Sequence, residues 1–144
     1  MAIRFEIPGD PIALKRHRHT KAGISYDPSK NDKADFLAKC MEHRPEKPMD
    51  CAIGLKVIFC FRRPQSHFGT GKNAGRLKDS APRYHTKRPD LDNLVKFVED
   101  ALQGVFFVDD KQVVYTEIKK IYHDYAKVVI GMVKMSEFDK ETDD

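Results

Sequence analysis

Apolar and polar residues alternate through Ile3, Phe5 and Ile7 until Pro8-Gly9 breaks the pattern, which predicts a short opening strand. The stretch LKRHRHTKAG that follows has no period and reads as a basic loop. Asp27-Pro28-Ser29 then carries the start signals of a helix of about 14 residues, with Ala34, Leu37, Ala38 and Met41 as its apolar stripe and an end before Pro45. CAIGLKVIFCF, residues 51–61, predicts a second strand with Ile53, Leu55, Val57, Phe59 and Phe61 on one face. A second helix is expected from about Leu91 to Gln103, where Leu94, Phe97 or Val98, Ala101 and Leu102 recur at helical spacing and Gly104 suits the end. VVYTEIKKIY and AKVVIGMVKM are β-rich runs around His123-Asp124-Tyr125, which predicts a hairpin. The expected fold is α+β, a mostly antiparallel sheet with two helices packed on one face, in a single domain over residues 1–135.

Residues 62–89 break this rhythm. They contain Gly69, Gly71 and Gly75, little periodicity and many cations, and they exceed the usual length of a connection inside a domain. A mobile loop ordered by nucleic acid is the expectation, against the alternative of a solvated loop with no function. Arg62, Arg63, Lys72, Arg76, Lys78, Arg83, Lys87 and Arg88 stand there against the single acid Asp79. Lys15, Arg16, Arg18 and Lys21 form a second basic group with His17 and His19. The formal net charge of +4 understates this bias because the end of the chain, SEFDKETDD, is acidic. Residues 136–144 are expected to be a disordered tail. The remainder suits a polyanion, with Lys15, Arg16, Arg18, Arg76, Lys78, Lys87 and Arg88 as candidate DNA contacts.

The three cysteines, Cys40, Cys51 and Cys60, form no C-x-x-C pair. A disulfide framework is therefore not expected. Cys40 and His43 have a ligand-like spacing, but cysteine on a strand reads better as a small hydrophobe than as part of a zinc site. No apolar run approaches the roughly 18 residues of a membrane span. MAIRFEIPGD lacks the apolar core of a signal peptide, so a cytoplasmic protein is expected.

The acids concentrate where the cations do not. KRPDLDNLVKFVEDALQGVFFVDDKQ holds Asp90, Asp92, Glu99, Asp100, Asp109 and Asp110. Asp90 and Asp92 bracket Leu91, and in extended chain residues two apart point the same way. Asp92, Lys96 and Asp100 share one helical face. Phe106-Phe107-Val108 would anchor the chain just before Asp109-Asp110. Each part also has a plain structural reading: a helix cap, an ion-pair ladder on the helix surface, or turn residues. Taken together, so many uncompensated carboxylates, Asp90 and Asp92 at the helix start and the Asp109-Asp110 pair from the nearby turn, suit an all-oxygen site for Mg²⁺ or Mn²⁺.

Arg88-Pro89-Asp90-Leu91-Asp92-Asn93-Leu94-Val95-Lys96, then Asp100-Ala101-Leu102 and Asp109-Asp110-Lys111-Gln112-Val113, resembles the RusA family of Holliday junction resolvases over roughly residues 87–120. The resemblance implies a bacterial or prophage-encoded, nucleoid-associated endodeoxyribonuclease. It would be a homodimer that binds four-way DNA junctions and makes paired, symmetric nicks with Mg²⁺, for which Mn²⁺ substitutes. Carried over by position, the family's essential aspartates fall on Asp90, Asp92 and Asp110 and its lysine on Lys96, with Asn93, Asp100 and Asp109 as supporting residues. The dimer interface is not legible; the second strand and the first helix are candidates. A non-catalytic DNA-binding protein and a less selective branched-DNA nuclease are the alternatives.

Overall fold

The computed structural model describes residues 2–138. The elements run β1 (Ala2–Pro8), β2 (Arg18–His19), β3 (Ser25–Tyr26), α1 (Lys30–Cys40), β4 (Ile53–Arg62), α2 (Leu91–Leu102), β5 (Val113–His123), β6 (Lys127–Lys134) and α3 (Met135–Phe138). The main sheet has the order β1-β6-β4-β5. Its β1/β6 and β6/β4 pairs are antiparallel and its β4/β5 pair is parallel. The fold is α+β as expected, around a mixed sheet.

The expected β5–β6 hairpin does not form. β4 lies between the two strands, with Cys60 opposite Ile121 on one side and Lys127 on the other. The short link Asp124-Tyr125-Ala126 passes over the end of β4, where Arg63 N donates to His123 O at 3.3 Å. β4 takes the centre because it is the most continuously apolar strand. Ile53, Gly54, Leu55, Val57, Phe59 and Cys60 are all buried along it, and a strand covered on both edges and one full face gains most from such composition. Its central position also removes β4 as an interface edge.

Both long helices cover one face of the sheet. Leu94, Val95, Phe97, Val98, Ala101 and Leu102 of α2 meet Ile53, Leu55, Val57 and Phe59 of β4 and Val128, Ile130 and Met132 of β6 in one core. Each of the larger fully buried side chains contributes roughly 2–3 kcal/mol by its removal from water. α1 is rotated from the expected stripe: Phe36 and Cys40 are buried, Leu37 is half-buried, and Ala34 and Ala38 are exposed. The aromatic ring decides the orientation because it removes far more apolar area than two alanines, and it packs edge-on against Phe97 with centroids 5.6 Å apart. Burial pushes the Cys40 thiol up to about 12, and His43 stacks on Phe5 at 4.5 Å.

The basic stretch expected as a loop contains a small hairpin, Arg18 opposite Tyr26 and His19 opposite Ser25. Gly23, at φ +81, turns it. Residues 62–89 also hold more structure than their composition suggests. Gly69 N donates to Arg76 O and Lys78 N to His67 O, both at 2.9 Å, which ties off a compact turn. A Cβ at Gly69 would lie 2.6 Å from that of Asn73, so the turn needs glycine there. Arg63 is the hub below it: one guanidinium nitrogen donates to Pro82 O at 2.7 Å, and the group lies over the Tyr122 ring at 5.6 Å. His85 stacks on Phe61 at 3.8 Å, and residues 83–85 run along the edge of β5. At the other end, Ser136–Phe138 close the α3 turn with Met135. The rest of the expected tail, 139–144, lies outside the described residues.

Candidate metal and nucleic-acid site

α2 organises the candidate site by its two ends. Asp90 stands just ahead of the helix in extended backbone, with φ −70 and ψ 146, and its carbonyl accepts from Leu94 N at 3.2 Å. Its carboxylate makes no capping hydrogen bond. Asp92 follows in the first turn, exposed. Among the described residues neither carboxylate has a hydrogen-bond or ion-pair partner. The positive pole of the helix stabilises both. Arg88, Pro89, Asp90 and Asn93 line an open cleft of about 320 Å³. The basic N-terminal stretch docks at the same place, because Leu14 N donates to Asn93 O at 2.9 Å and Lys15 N to the buried Ser29 Oγ at 2.9 Å. Lys15, Arg16, Arg18, Lys87 and Arg88 are all exposed on the segments leading into or docked beside the start of α2.

Asp109 and Asp110 arrive at the other end. Phe106 and Phe107 are fully buried, Met49 N donates to Phe106 O at 2.9 Å, and Val108 N to Met49 O at 3.1 Å, so the expected anchor is present. Gln112 locks the acidic turn in place: its Oε1 accepts from Asp109 N at 2.7 Å, and its Nε2 donates to Met49 O at 2.7 Å and Cys51 O at 3.0 Å. Asp109 Oδ1 accepts from Lys111 N at 3.0 Å, which makes Asp109 the cap of the turn Asp110–Gln112. That hydrogen bond, and the one with Asp110, hold the Asp109 carboxyl below the usual range. Asp110 is held above it, first by its hydrogen bond to Asp109, then by burial and by repulsion from Asp109 and Asp100.

The C-terminal end of α2 is thus crowded with negative charge. Glu99 is raised by burial and then by Asp110 and Asp100. The last turn of α2 has no basic residue, and the helix adds its own negative pole. Lys33 of α1, paired with Asp27, reaches Asp100 at 3.7 Å. Lys96, exposed midway along α2, forms no ion pair with Asp92 or Asp100, so the surface ladder anticipated as a plain reading is not built.

One chain does not bring Asp90, Asp92 and Asp110 together. Asp110 N donates to Gln103 Oε1 at 3.1 Å, beyond the end of α2. Asp92 precedes Asp100 by eight residues, about 12 Å along a helix axis. Among the described residues no three histidine, cysteine, aspartate or glutamate side chains gather closely enough to hold a metal ion. The donor chemistry nonetheless fits a hard divalent cation: two carboxylates without partners among the described residues at one end, and two more in mutual repulsion at the other. Within one chain these carboxylates stand as two separate pairs.

Gln112, a motif residue, positions the second acid pair. Residues that the motif does not contain also shape the site, and Leu14 ties the basic arm to α2. Lys120 Nζ donates to Lys87 O and to Pro89 O, both at 2.7 Å. A polar recess of about 490 Å³ lined by Arg62, Arg63, Gln65, Phe68 and Asp124 lies beside the basic segment. Arg76 and Lys78 are exposed on the turn above it. No helix among the described residues is long and apolar enough to cross a membrane.

Residues 8–133 match the family model described as Endodeoxyribonuclease RusA. Uncharacterized protein YqaN of Bacillus subtilis (strain 168) is 30% identical over 139 residues, covering 93% of this chain and 97% of that protein. A crossover junction endodeoxyribonuclease rusA of Lactococcus phage r1t is 25% identical over 111 residues, covering 76% of this chain and 77% of that one.

Proposed function

We propose, from the premise that the chain belongs to the RusA family of endodeoxyribonucleases, that it resolves four-way DNA junctions in the cytoplasm with Mg²⁺, as a homodimer making paired symmetric nicks. The observation that carries this reading is the pair Asp90 and Asp92, without partners among the described residues and set among exposed cations. A carboxylate pair that served only stability would be capped or ion-paired, as Asp109 and Asp27 are.

Asp90 and Asp92 would hold the cation, with Asp110 completing the set. When bound, Mg²⁺ supplies a polarised water and charge neutralisation at the scissile phosphate. Lys96, without an ion-pair partner among the described residues and exposed on the same face as Asp92, is suited to stabilise charge developing on phosphate. Lys15, Arg16, Arg18, Arg76, Lys78, Lys87 and Arg88 hold backbone phosphates and position the strand. Asn93 and Asp109 support the two acid pairs from within the chain, and Asp100 stands beside Asp110.

The divided acids support the homodimer. A two-fold pairing in which the start of α2 in one copy meets the end of α2 in the other completes two equivalent three-carboxylate sets at once. Val108 and Val114, 55% and 61% exposed, flank the Asp109–Asp110 pair in sequence and offer apolar contact for such a partner. Two sites related by a two-fold axis match the approximate two-fold symmetry of a four-way junction.

The direct test is a synthetic junction incubated with the protein in Mg²⁺ or in EDTA. Paired nicks dependent on Mg²⁺ are expected, with binding retained in EDTA. Binding without cutting in any divalent cation would leave a basic DNA-binding protein. Equal cutting of flaps, linear duplex and junctions would leave a nuclease without junction selectivity.

A further inference from the structure

Lys120 occupies an unusual place for a lysine. It lies on β5 between Ile118, which packs against the core, and the buried Tyr122. Alternation along the strand directs it to the same side as these two, toward the helix layer. Its ammonium makes no ion pair among the described residues. It donates instead to two backbone carbonyls, Lys87 O and Pro89 O, each at 2.7 Å. Those carbonyls bracket Arg88 and end one residue before Asp90. The main chain of Lys120 also takes part, because its carbonyl accepts from His85 N at 3.2 Å. Between Thr86 and Pro89 the two bonds from Lys120 Nζ are the only hydrogen bonds to the backbone among the described residues.

A single side chain therefore holds the last residues of the basic segment where they enter α2. Asp90 is the point at which helix geometry has not yet begun, so the helix alone does not fix the direction of its carboxylate. Asp92, inside the first turn, is oriented by α2 itself. The relative placement of the two carboxylates depends on an anchor outside the helix, and Lys120 is the anchor present. A lysine engaged with two carbonyls has little left to offer a phosphate, which separates it from the exposed cations nearby.

We infer that Lys120 is a positioning residue: by gripping the carbonyl oxygens of Lys87 and Pro89, it sets the Asp90 carboxylate against Asp92 for cation binding. The inference rests on the nuclease reading above and adds a residue outside its motif. Lys120 acts through backbone, so the guanidinium of an arginine, which donates from more than one nitrogen, restores part of the function and an apolar side chain of similar length does not.

The experiment compares wild type, Lys120→Met and Lys120→Arg in three measurements: Mn²⁺ affinity by electron paramagnetic resonance without DNA, junction affinity in EDTA, and single-turnover cutting in Mg²⁺. For Lys120→Met the expected result is Mn²⁺ affinity weakened about tenfold and cutting slowed about 10–100-fold, on the scale of losing an outer support of a metal ligand. Junction affinity stays within about threefold of wild type, the change expected when no phosphate contact is lost. Lys120→Arg recovers part of both losses. Unchanged Mn²⁺ affinity in Lys120→Met overturns the inference, as does a fall in junction affinity equal to the fall in cutting, which would make Lys120 a DNA contact. If Lys120→Met does not fold, Lys120→Arg decides: a metal affinity restored no better than its folding would leave a purely structural clip and overturn the positioning role. A wild-type protein that neither binds Mn²⁺ nor cuts overturns the parent reading itself.

Discussion

The two ends of α2 hold carboxylates under opposite conditions. At the N-terminal end Asp90 and Asp92 face the positive helix pole and have no partner of their own among the described residues. At the C-terminal end Glu99, Asp100 and Asp110 face the negative pole. There Asp109 is committed to a cap, and among the described residues Lys33 alone reaches Asp100. The first pair is ready for a ligand at little structural cost. The second is in tension within one chain and would be relieved by a cation or by a partner's positive pole. Acidic residues a few positions apart thus carry different burdens, and motif membership alone does not distinguish them.

The largest expected effect lies at the N-terminal pair. Asp92→Asn should slow junction cutting by at least about a hundredfold, the scale of removing a principal electrostatic group from a site. Junction affinity in EDTA should not fall, because less negative charge faces the phosphates; a parallel loss of binding in a folded variant would place Asp92 in the DNA interface. Gln112→Ala should act on the other end through stability. It removes three hydrogen bonds, for a loss of about 2–3 kcal/mol, and thermal unfolding should report a drop of roughly 10 °C. An unchanged Tm would mean that the acidic turn holds itself.

A smaller effect is expected away from both ends. Reversing Arg76 and Lys78 to glutamate should weaken junction binding and flatten its salt dependence by about two units of slope per protomer, as two phosphate contacts in each copy predict. A titration with and without added salt measures this, and an unaltered slope would remove the turn from the DNA surface. The smallest effect sharpens the contrast by its sign. Glu99 and Asp110 are raised by burial or hydrogen bonding and by neighbouring acids, so the folded state binds their protons more tightly than the unfolded one. They therefore oppose folding above their raised values and have no effect below the ordinary carboxylate range. Glu99→Gln should raise Tm by a few degrees at pH 7 without metal and by nothing near pH 3. Asp92→Asn should lower Tm slightly at pH 7, by a few tenths of a kcal/mol of helix-pole interaction. The same sign for both variants would erase the distinction between the two ends.

Much of the fold is legible in the sequence because period is a local property. The Ile53, Leu55, Val57 and Phe59 alternation and the Leu94-to-Leu102 stripe appear in the structure as read. Pairing is not local, and there the reading fails. Nothing in VVYTEIKKIY or AKVVIGMVKM says that β4 inserts between them, and a three-residue link serves a hairpin or a crossing over one strand end equally well. The α1 stripe failed for a different reason: Phe36 outweighs Ala34 and Ala38 in buried area, and periodicity counts residues without weighing them.

For the candidate site, the motif names the residues but not their assembly. The link from Leu102 to Asp109 is only QGVFFV, and burial of Phe106 and Phe107 folds it back against Met49. Asp110 is therefore kept at the end of α2 and cannot return to Asp90. That constraint is already present in the chain length and the two phenylalanines. Lys120 is different: its two carbonyl partners lie 33 and 31 residues away. Lysine on a strand gives no sign of such a clasp.

The central claim is that each acid set is divided between two copies of the chain, and subunit mixing tests it most directly. Asp92→Asn and Asp110→Asn proteins, each inactive alone, are unfolded together, refolded as mixed dimers and given a junction in Mg²⁺. A divided site predicts recovery of single-strand nicks at one of the two positions, since one set in each mixed dimer is intact. No recovery from confirmed mixed dimers would place all three carboxylates of a working site in one chain and contradict the account.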